Sequence, residues 1–265
     1  MDPELRLEVT VLGCGTSLGV PVIGCECRVC TSGEAKNQRM RSSVGLRYGD
    51  RRVLIDTSVD LRQQCLRFAI DRVDAVLFTH AHADHIFGLD DLRPFGFRQR
   101  DPIPLYGSAE TLGRIRESFA YIFDGQASEG GGKPRLEIRE LEGPVDLWGL
   151  VAEPLPVWHG SLEVTAYRFG PFAYVTDCHH IPAATMDRLR GVEVLILDAL
   201  RYRPHATHLS VGQAIEIALE LDAGHTYLTH MTHEIDYLAP AQELPAGVEL
   251  AYDGLTFEID YRSRA

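Results

Sequence analysis

Thr79-His80-Ala81-His82-Ala83-Asp84-His85 follows directly on an apolar run, Ala75-Val76-Leu77-Phe78. A short apolar run bounded by polar residues reads as a buried strand, and the loop leaving its end carries the histidines. Three imidazoles and a carboxylate within six positions are costly to bury unless something satisfies them. Such a loop can point His80 and His82 to one side and Asp84 and His85 to the other. That supplies nitrogen ligands for one divalent ion and mixed ligands for a second. A polar surface loop is the bland alternative, and the density of imidazoles at a strand end speaks against it.

The same placement recurs along the chain. Val157-Trp158-His159 ends an apolar run in a histidine, Tyr174-Val175-Thr176-Asp177 in a carboxylate, and Tyr227-Leu228-Thr229-His230 in another histidine. Each alone is weak, because a lone histidine is more often a core or surface residue than a ligand. Their common position is the signal, since loops at one edge of a sheet are where rigid scaffolds carry function.

The residues between these points divide into strands and helices. Leu5, Leu7, Val9 and Val11 alternate with polar residues, the period of a half-buried strand. Ser43 to Tyr48 and Arg52 to Asp56 flank Gly49-Asp50, a hairpin signal. Helical spacing is expected at Val59 to Ala69, Ile86 to Phe97 and Ala109 to Phe123, the last behind Ser108 as N-cap. Ser210 with Gln213 is a capping box opening a helix to about Leu221. Further strands are expected at Leu136 to Arg139, Pro154 to Trp158, Val164 to Phe169, Phe172 to Thr176, Val192 to Leu197, Tyr227 to Thr229, Glu249 to Tyr252 and Thr256 to Tyr261. Asp124 to Pro134, with three consecutive glycines, reads as a surface loop. The strand and helix pattern is coarsely duplicated, which predicts two packed sheets with helices outside and residues 1–265 as one domain.

With 265 residues the chain can bury a sizeable core, and its 45% hydrophobic and 24% charged content excludes disorder and coiled coils. A net charge of −12 disfavours nucleic-acid or lipid surfaces as partners. The charged start Met1-Asp2-Pro3-Glu4 is unlike a signal peptide, and no apolar run approaches the ~20 residues of a membrane span, so the expected location is cytoplasmic. In a reducing compartment three cysteines within six positions, Cys25, Cys27 and Cys30, read as metal ligands before disulfides.

His80-x-His82-x-Asp84-His85, with His159, Asp177 and His230, resembles the metallo-β-lactamase superfamily of binuclear metallohydrolases. The resemblance runs from Leu5 to about Tyr261 and implies an α/β fold, the four-layer αββα sandwich, with metals at one edge. It assigns His80, His82 and His159 to a first ion, Asp84, His85 and His230 to a second, and Asp177 to both. The three cysteines lack a fourth ligand, and His233 lies three places after His230. This resembles the phosphoribosyl cyclic phosphodiesterase group of the phosphonate-degradation pathway, where a structural zinc has three cysteines and one histidine. Cys25, Cys27, Cys30 and His233 are its counterparts, with three free thiols as the alternative. That group also has a histidine near the substrate where His208 precedes the Ser210-capped helix. His208 would there meet phosphate or protonate a leaving oxygen; an exposed loop histidine is the other reading. Arg201, Arg203 and the turn Gly13-Cys14-Gly15-Thr16 are weaker anion contacts. Cys178-His179-His180 departs from the group's pattern and leaves the substrate open.

Two divalent ions, zinc, manganese or iron, can share a water, lower its pKa and present hydroxide at neutral pH, with Asp84 orienting it. Phosphodiester hydrolysis by such a hydroxide needs no protein nucleophile. The expected function is a metal-dependent phosphodiesterase acting on a small substrate, a cyclic sugar or nucleotide phosphate. The alternatives are a transfer-RNA 3′ processing nuclease, a thioester or β-lactam hydrolase, and a non-catalytic metal-binding module. The expected partner is the small phosphodiester, with no membrane and a homodimer left open.

Overall fold

The structure, a computed structural model, describes residues 6–125, 132–241 and 243–261. Its first half runs β1 (Arg6–Gly13), β2 (Ser43–Tyr48), β3 (Arg51–Ile55), α1 (Leu61–Arg67), β4 (Ala75–Leu77), α2 (Ala83–Ile86), α3 (Arg93–Gly96), β5 (Ile103–Gly107), α4 (Ala109–Ser118), α5 (Ala120–Phe123) and β6 (Leu136–Glu140). The second half runs β7 (Val145–Leu147), β8 (Leu150–His159), β9 (Leu162–Phe169), β10 (Phe172–Val175), α6 (Ala183–Leu189), β11 (Val194–Asp198), α7 (Val211–Glu220), β12 (His225–Thr229), β13 (Val248–Leu250) and β14 (Thr256–Asp260).

These strands form two seven-stranded sheets, ordered β14-β1-β2-β3-β4-β5-β6 and β13-β12-β11-β10-β9-β8-β7. From β1 to β6 successive pairs are antiparallel twice and then parallel three times. From β8 to β13 the same series repeats. The duplication expected from the element pattern is thus a duplication of sheet topology.

Period-two alternation decides which side chain faces which layer. Val53, Ile55, Ala75 and Leu77 enter the core between the sheets. Their neighbours Leu54, Val76 and Phe78 face the other way and meet Leu61, Ile86, Leu112 and Ile115 of the helical layer. On the second sheet Met186 and Leu189 of α6 and Val211 and Ala214 of α7 join the central core. Burying one such side chain contributes about 1.5–3 kcal/mol. The outcome is the αββα sandwich, with the parallel strands of both sheets delivering their C-terminal ends to one edge.

Several expected elements are reshaped by packing. The helix expected over Ile86 to Phe97 is α2, a 3-10 turn at Leu89–Leu92, and α3. It breaks at Gly88, where a Cβ would lie 2.0 Å from the Ser58 carbonyl oxygen. The helix expected over Ala109 to Phe123 breaks at Phe119, whose backbone leaves the helical region as its buried ring meets Phe87. β5, β7 and α6 escaped the periodicity reading; Pro104 inside β5 is an atypical strand residue. Of the loop expected over Asp124 to Pro134, residues 126–131 lie outside the described residues, as does Leu5 of the first expected strand. Among the described residues no helix is long and apolar enough to cross a membrane.

Candidate metal centres

Six carboxylate and imidazole side chains leave the ends of parallel or central strands at one edge. Asp56 follows β3, His80 follows β4, His159 ends β8, Asp177 follows β10, Asp198 ends β11 and His230 follows β12. Asp56, Asp177 and His230 have φ of 63°, 51° and 58°. Non-glycine residues pay on the order of 1–2 kcal/mol for that left-handed turn, which persists only where surrounding contacts enforce it.

The loop residues complete the cluster. His85 Nε2 lies 3.3 Å from Asp84 Oδ2 and 3.3 Å from Asp177 Oδ1. His230 Nε2 lies 3.3 Å from Asp177 Oδ2 and 3.7 Å from Asp84 Oδ2. These four residues offer ligand atoms within 4.8 Å of one another, all buried. His80 Nε2 is 3.0 Å from His82 Nδ1 and 3.8 Å from Asp177 Oδ2, a second group. A third joins His159, Asp177 and His208. The His159 ring stands 5.2 Å from that of His82 and 6.1 Å from that of His80. Asp177 belongs to all three groups.

A layer of hydrogen bonds fixes which nitrogen faces inward. His85 Nδ1 donates to Asp56 Oδ2 at 2.7 Å, and Asp56 also accepts from the Thr79 amide and hydroxyl, both at 2.8 Å. His80 Nδ1 meets the Thr79 hydroxyl at 2.9 Å, and His159 Nδ1 donates to the Thr207 carbonyl at 2.9 Å. The inward His80 Nε2 meets His82 Nδ1, and the other inward nitrogens face the carboxylates. Among the described residues, His85 Nε2 and both ring nitrogens of His230 are buried with no hydrogen-bond partner. Buried orphan acceptors facing carboxylates are what a divalent cation satisfies, so this donor set fits one.

Charge in the cluster tells the same story. Burial opposes a proton on His85, but the carboxylates of Asp177, Asp56 and Asp84 hold its pKa well above the ordinary imidazole value. His230 is raised likewise, against burial, mainly by Asp177. His80 moves the opposite way, lowered well below by burial and then by His85. Burial pushes Asp84 and Asp177 up, yet His85 and His230 hold both far below the usual carboxylate range. The two imidazoles and the two carboxylates thus hold each other in their charged forms.

Around it, His208 is buried with its ring 4.5 Å from that of His159 and stacked at 4.7 Å on that of His230. Its Nδ1 donates to Asp198 Oδ1 at 3.1 Å, and Asp198 also accepts from the Leu209 and Asp177 amides. The exposed-loop reading of His208 is therefore set aside. Asp56 and Asp198 were missed from the sequence, although Leu54-Ile55-Asp56 and Ile196-Leu197-Asp198 carry the same strand-end signal as Asp177.

The cysteine group forms a second centre nearby. Cys25, Cys27 and Cys30 place their sulfurs 3.2, 3.4 and 3.4 Å from His233 Nδ1. Tetrahedral zinc with ordinary bond lengths separates sulfur from nitrogen by about 3.5 Å, so this donor set fits zinc as well. The Cys30 amide, then neighbouring thiols, lower the Cys27 pKa to about 6, whereas burial raises that of Cys30 to about 11. The strand-end and cysteine centres meet along one segment: the Met231 amide donates to the Cys14 carbonyl, between His230 and His233.

The remaining expectations stay outside both centres. Cys178 is buried in the core, the His179 Nδ1 donates to the Trp158 carbonyl at 2.7 Å, and His180 pairs its backbone with Trp158. None of the three joins a metal-type group among the described residues. Arg203 pairs with Glu234 at 3.0 Å and Arg201 hydrogen-bonds to its own loop's carbonyls. Gly13 and Gly15 press on the Arg41 and Arg39 carbonyls, so they serve a close backbone approach rather than an anion cradle.

Residues 51–231 match the beta-lactamase superfamily domain, and the chain belongs to the metallo-β-lactamase superfamily. It is a hydrolase of that fold, and the fold implies divalent-metal binding. Within the superfamily it is similar to a crystal structure described as a new diphosphatase from the PhnP family, with a TM-score of 0.90, 43% identity, and coverage of 96% of this chain and 97% of that one. It is also 36% identical over 259 residues to an octanoyltransferase of Porphyromonas gingivalis, covering 96% of this chain and 52% of that protein. The chain thus spans about half the length of that relative. The Zn(2+)-bound PqqB of Methylobacterium extorquens shares the fold, with a TM-score of 0.77 at 21% identity over 95% of this chain and all of that one.

Proposed function

We propose that the chain is a binuclear metal-dependent phosphodiesterase for a small substrate, a cyclic sugar or nucleotide phosphate. The observation that carries this reading is Asp177: one buried carboxylate belongs to three ligand groups, which suits an oxygen pair shared between two ions. His80, His82 and His159 would hold the first ion, and Asp84, His85 and His230 the second. Cys25, Cys27, Cys30 and His233 would hold a structural zinc. When bound, the paired ions supply Lewis acidity and lower the pKa of a water.

The chain's own residues do the rest. Asp84 turns Oδ2 toward His85 and His230, so its Oδ1 is the atom to accept a proton from the attacking water. His208, with Nδ1 held by Asp198, has Nε2 to donate to the departing oxygen. Asp198 fixes the ring beside His159 and His230. A net charge of −12 favours a small substrate over a long polyanion such as transfer RNA.

A second reading, hydrolysis of a diphosphate linkage, is favoured by the 43% identity to the PhnP-family diphosphatase. The same groups serve either P–O bond. Metal analysis joined to a panel of cyclic phosphates, nucleoside diphosphate esters, linear diesters, thioesters and β-lactams tests both. Turnover of cyclic phosphates ahead of the others supports the first reading, and preference for diphosphate esters the second. Metal-loaded protein that cleaves only thioesters or β-lactams would overturn both.

A further inference from the structure

A cavity of about 510 Å³ lies at the end of the sandwich away from the metal centres. Arg51 opens β3, Asp74 precedes β4 and Trp148 precedes β8, whose far ends lead to Asp56, His80 and His159. The ten residues of β8 alone set the two ends on the order of 30 Å apart. In a chain of net charge −12, five arginines line this cavity against two aspartates.

The arrangement is built rather than scattered. Asp74, its side chain 4% exposed, accepts from Arg51 at 3.1 Å, from Arg72 Nη2 at 2.6 Å and from the Arg52 amide at 2.9 Å. One carboxylate thereby orients two guanidinium groups. Gln99 clamps the Val73 backbone in both directions, accepting from its amide at 3.2 Å and donating to its carbonyl at 2.7 Å. That anchors the loop carrying Arg98 and Arg100, which line the cavity with exposed side chains and form no ion pair among the described residues. Arg139 is tied to Tyr106 and Glu137.

A second contact of Arg51 bears on the class of ligand. Arg51 stacks its guanidinium 4.6 Å from the centre of the Trp148 ring, which is still 46% exposed. Trp148 also occupies a left-handed turn at φ 58°, a conformation that does not favour an indole. An exposed aromatic face beside unpaired guanidinium groups suits an aromatic base joined to phosphate. The volume falls in the range of small-ligand sites and exceeds what a lone phosphate fills. With Arg51, Arg72 and Arg139 already paired, Arg98 and Arg100 have charge for one or two phosphates rather than a polymer backbone.

We propose that this cavity is a second ligand site, distinct from the metal centres, that binds a nucleoside phosphate with its base on Trp148 and its phosphates on Arg98 and Arg100. The test is calorimetric titration of the full chain with α,β-methylene-ADP, which resists hydrolysis. A Trp148→Asn variant, whose new residue tolerates the left-handed turn, and an Arg98→Ala, Arg100→Ala double variant should each weaken one binding event by about tenfold or more. Hydrolysis of a small diester at the metal centre should stay unchanged in both. Because that centre also attracts phosphate, the event should persist in His85→Ala. Wild-type affinity in both cavity variants would overturn the proposal. So would inorganic phosphate binding as tightly as the nucleotide analogue, or an RNA oligomer binding far more tightly with a steep salt dependence.

Discussion

His230 and His233 stand three residues apart, yet the centres they serve are built in opposite ways. The strand-end centre is buried apart from the exposed His82 and half-buried His159, its imidazoles are backed by Asp56, Thr79 and the Thr207 carbonyl, and three of its nitrogens have no protein partner. The cysteine centre lies on a half-buried loop over a small apolar cluster of Val20, Val29 and Cys30, and its three sulfurs converge on one nitrogen. Four ligands close a tetrahedral site and exclude substrate, whereas an incompletely satisfied site with His208 beside it has room for chemistry. Under the proposed function, backing by hydrogen bonds would hold geometry during turnover at the first centre, and convergence of thiolates would tie a loop to the sheet edge at the second.

The largest expected effect comes from breaking the strand-end centre. His85→Ala should lose about one ion per chain and lower diester turnover on the order of 10³-fold or more, with the fold retained. Full activity with unchanged metal content by mass spectrometry would erase the distinction between the two centres.

Next in size is His208→Ala. Both ions should stay bound while kcat on substrates with a poor alkoxide leaving group falls about 10²-fold. An activated aryl leaving group needs little protonation and should be cleaved near the wild-type rate. Equal losses on both substrates, seen mainly in kcat/KM, would make His208 a phosphate contact instead.

Cys27→Ala probes the other centre and should act on stability. A melting temperature lower by about 5–10 °C and loss of one zinc are expected, with turnover per folded molecule preserved. Unchanged melting and zinc content would show that the thiol cluster is not a folding element.

The smallest effect concerns the seam between the centres. Asp253 accepts from the Cys14 amide at 3.1 Å and the Met40 amide at 2.7 Å, and burial raises its pKa to about 6. A carboxyl raised in the folded state contributes stability that is fully present below the unfolded value near 4 and is lost as pH rises through 6. Urea unfolding of wild type and Asp253→Asn across pH 4 to 7 should therefore diverge over that window, the wild type losing stability relative to the variant. Parallel curves would remove Asp253 from the pH response.

Much of this architecture was legible because its signals are local. Alternation marked the buried face of β1, the Gly49-Asp50 turn joined β2 to β3, an apolar run marked β4, Ser210 and Gln213 formed their capping box, and ligand-type residues stood at strand ends. Where local reading failed, a distant contact had intervened. The helix stopped before Gly88, whose amide donates instead to the Thr57 carbonyl, and β5 kept Pro104 despite its missing donor.

The sequence by itself determined the imidazole loop, the strand-end residues and the alternating layers, since period and position along a strand need no knowledge of other strands. Only the tertiary structure decided that Asp177 is shared by three ligand groups, that His233 meets sulfurs more than 200 positions away, and that Asp56 and Asp198 stand behind His85 and His208. Those facts depend on which strand ends become neighbours at the sheet edge. Register and packing of a duplicated sandwich set that, and no stretch of chain carries it alone.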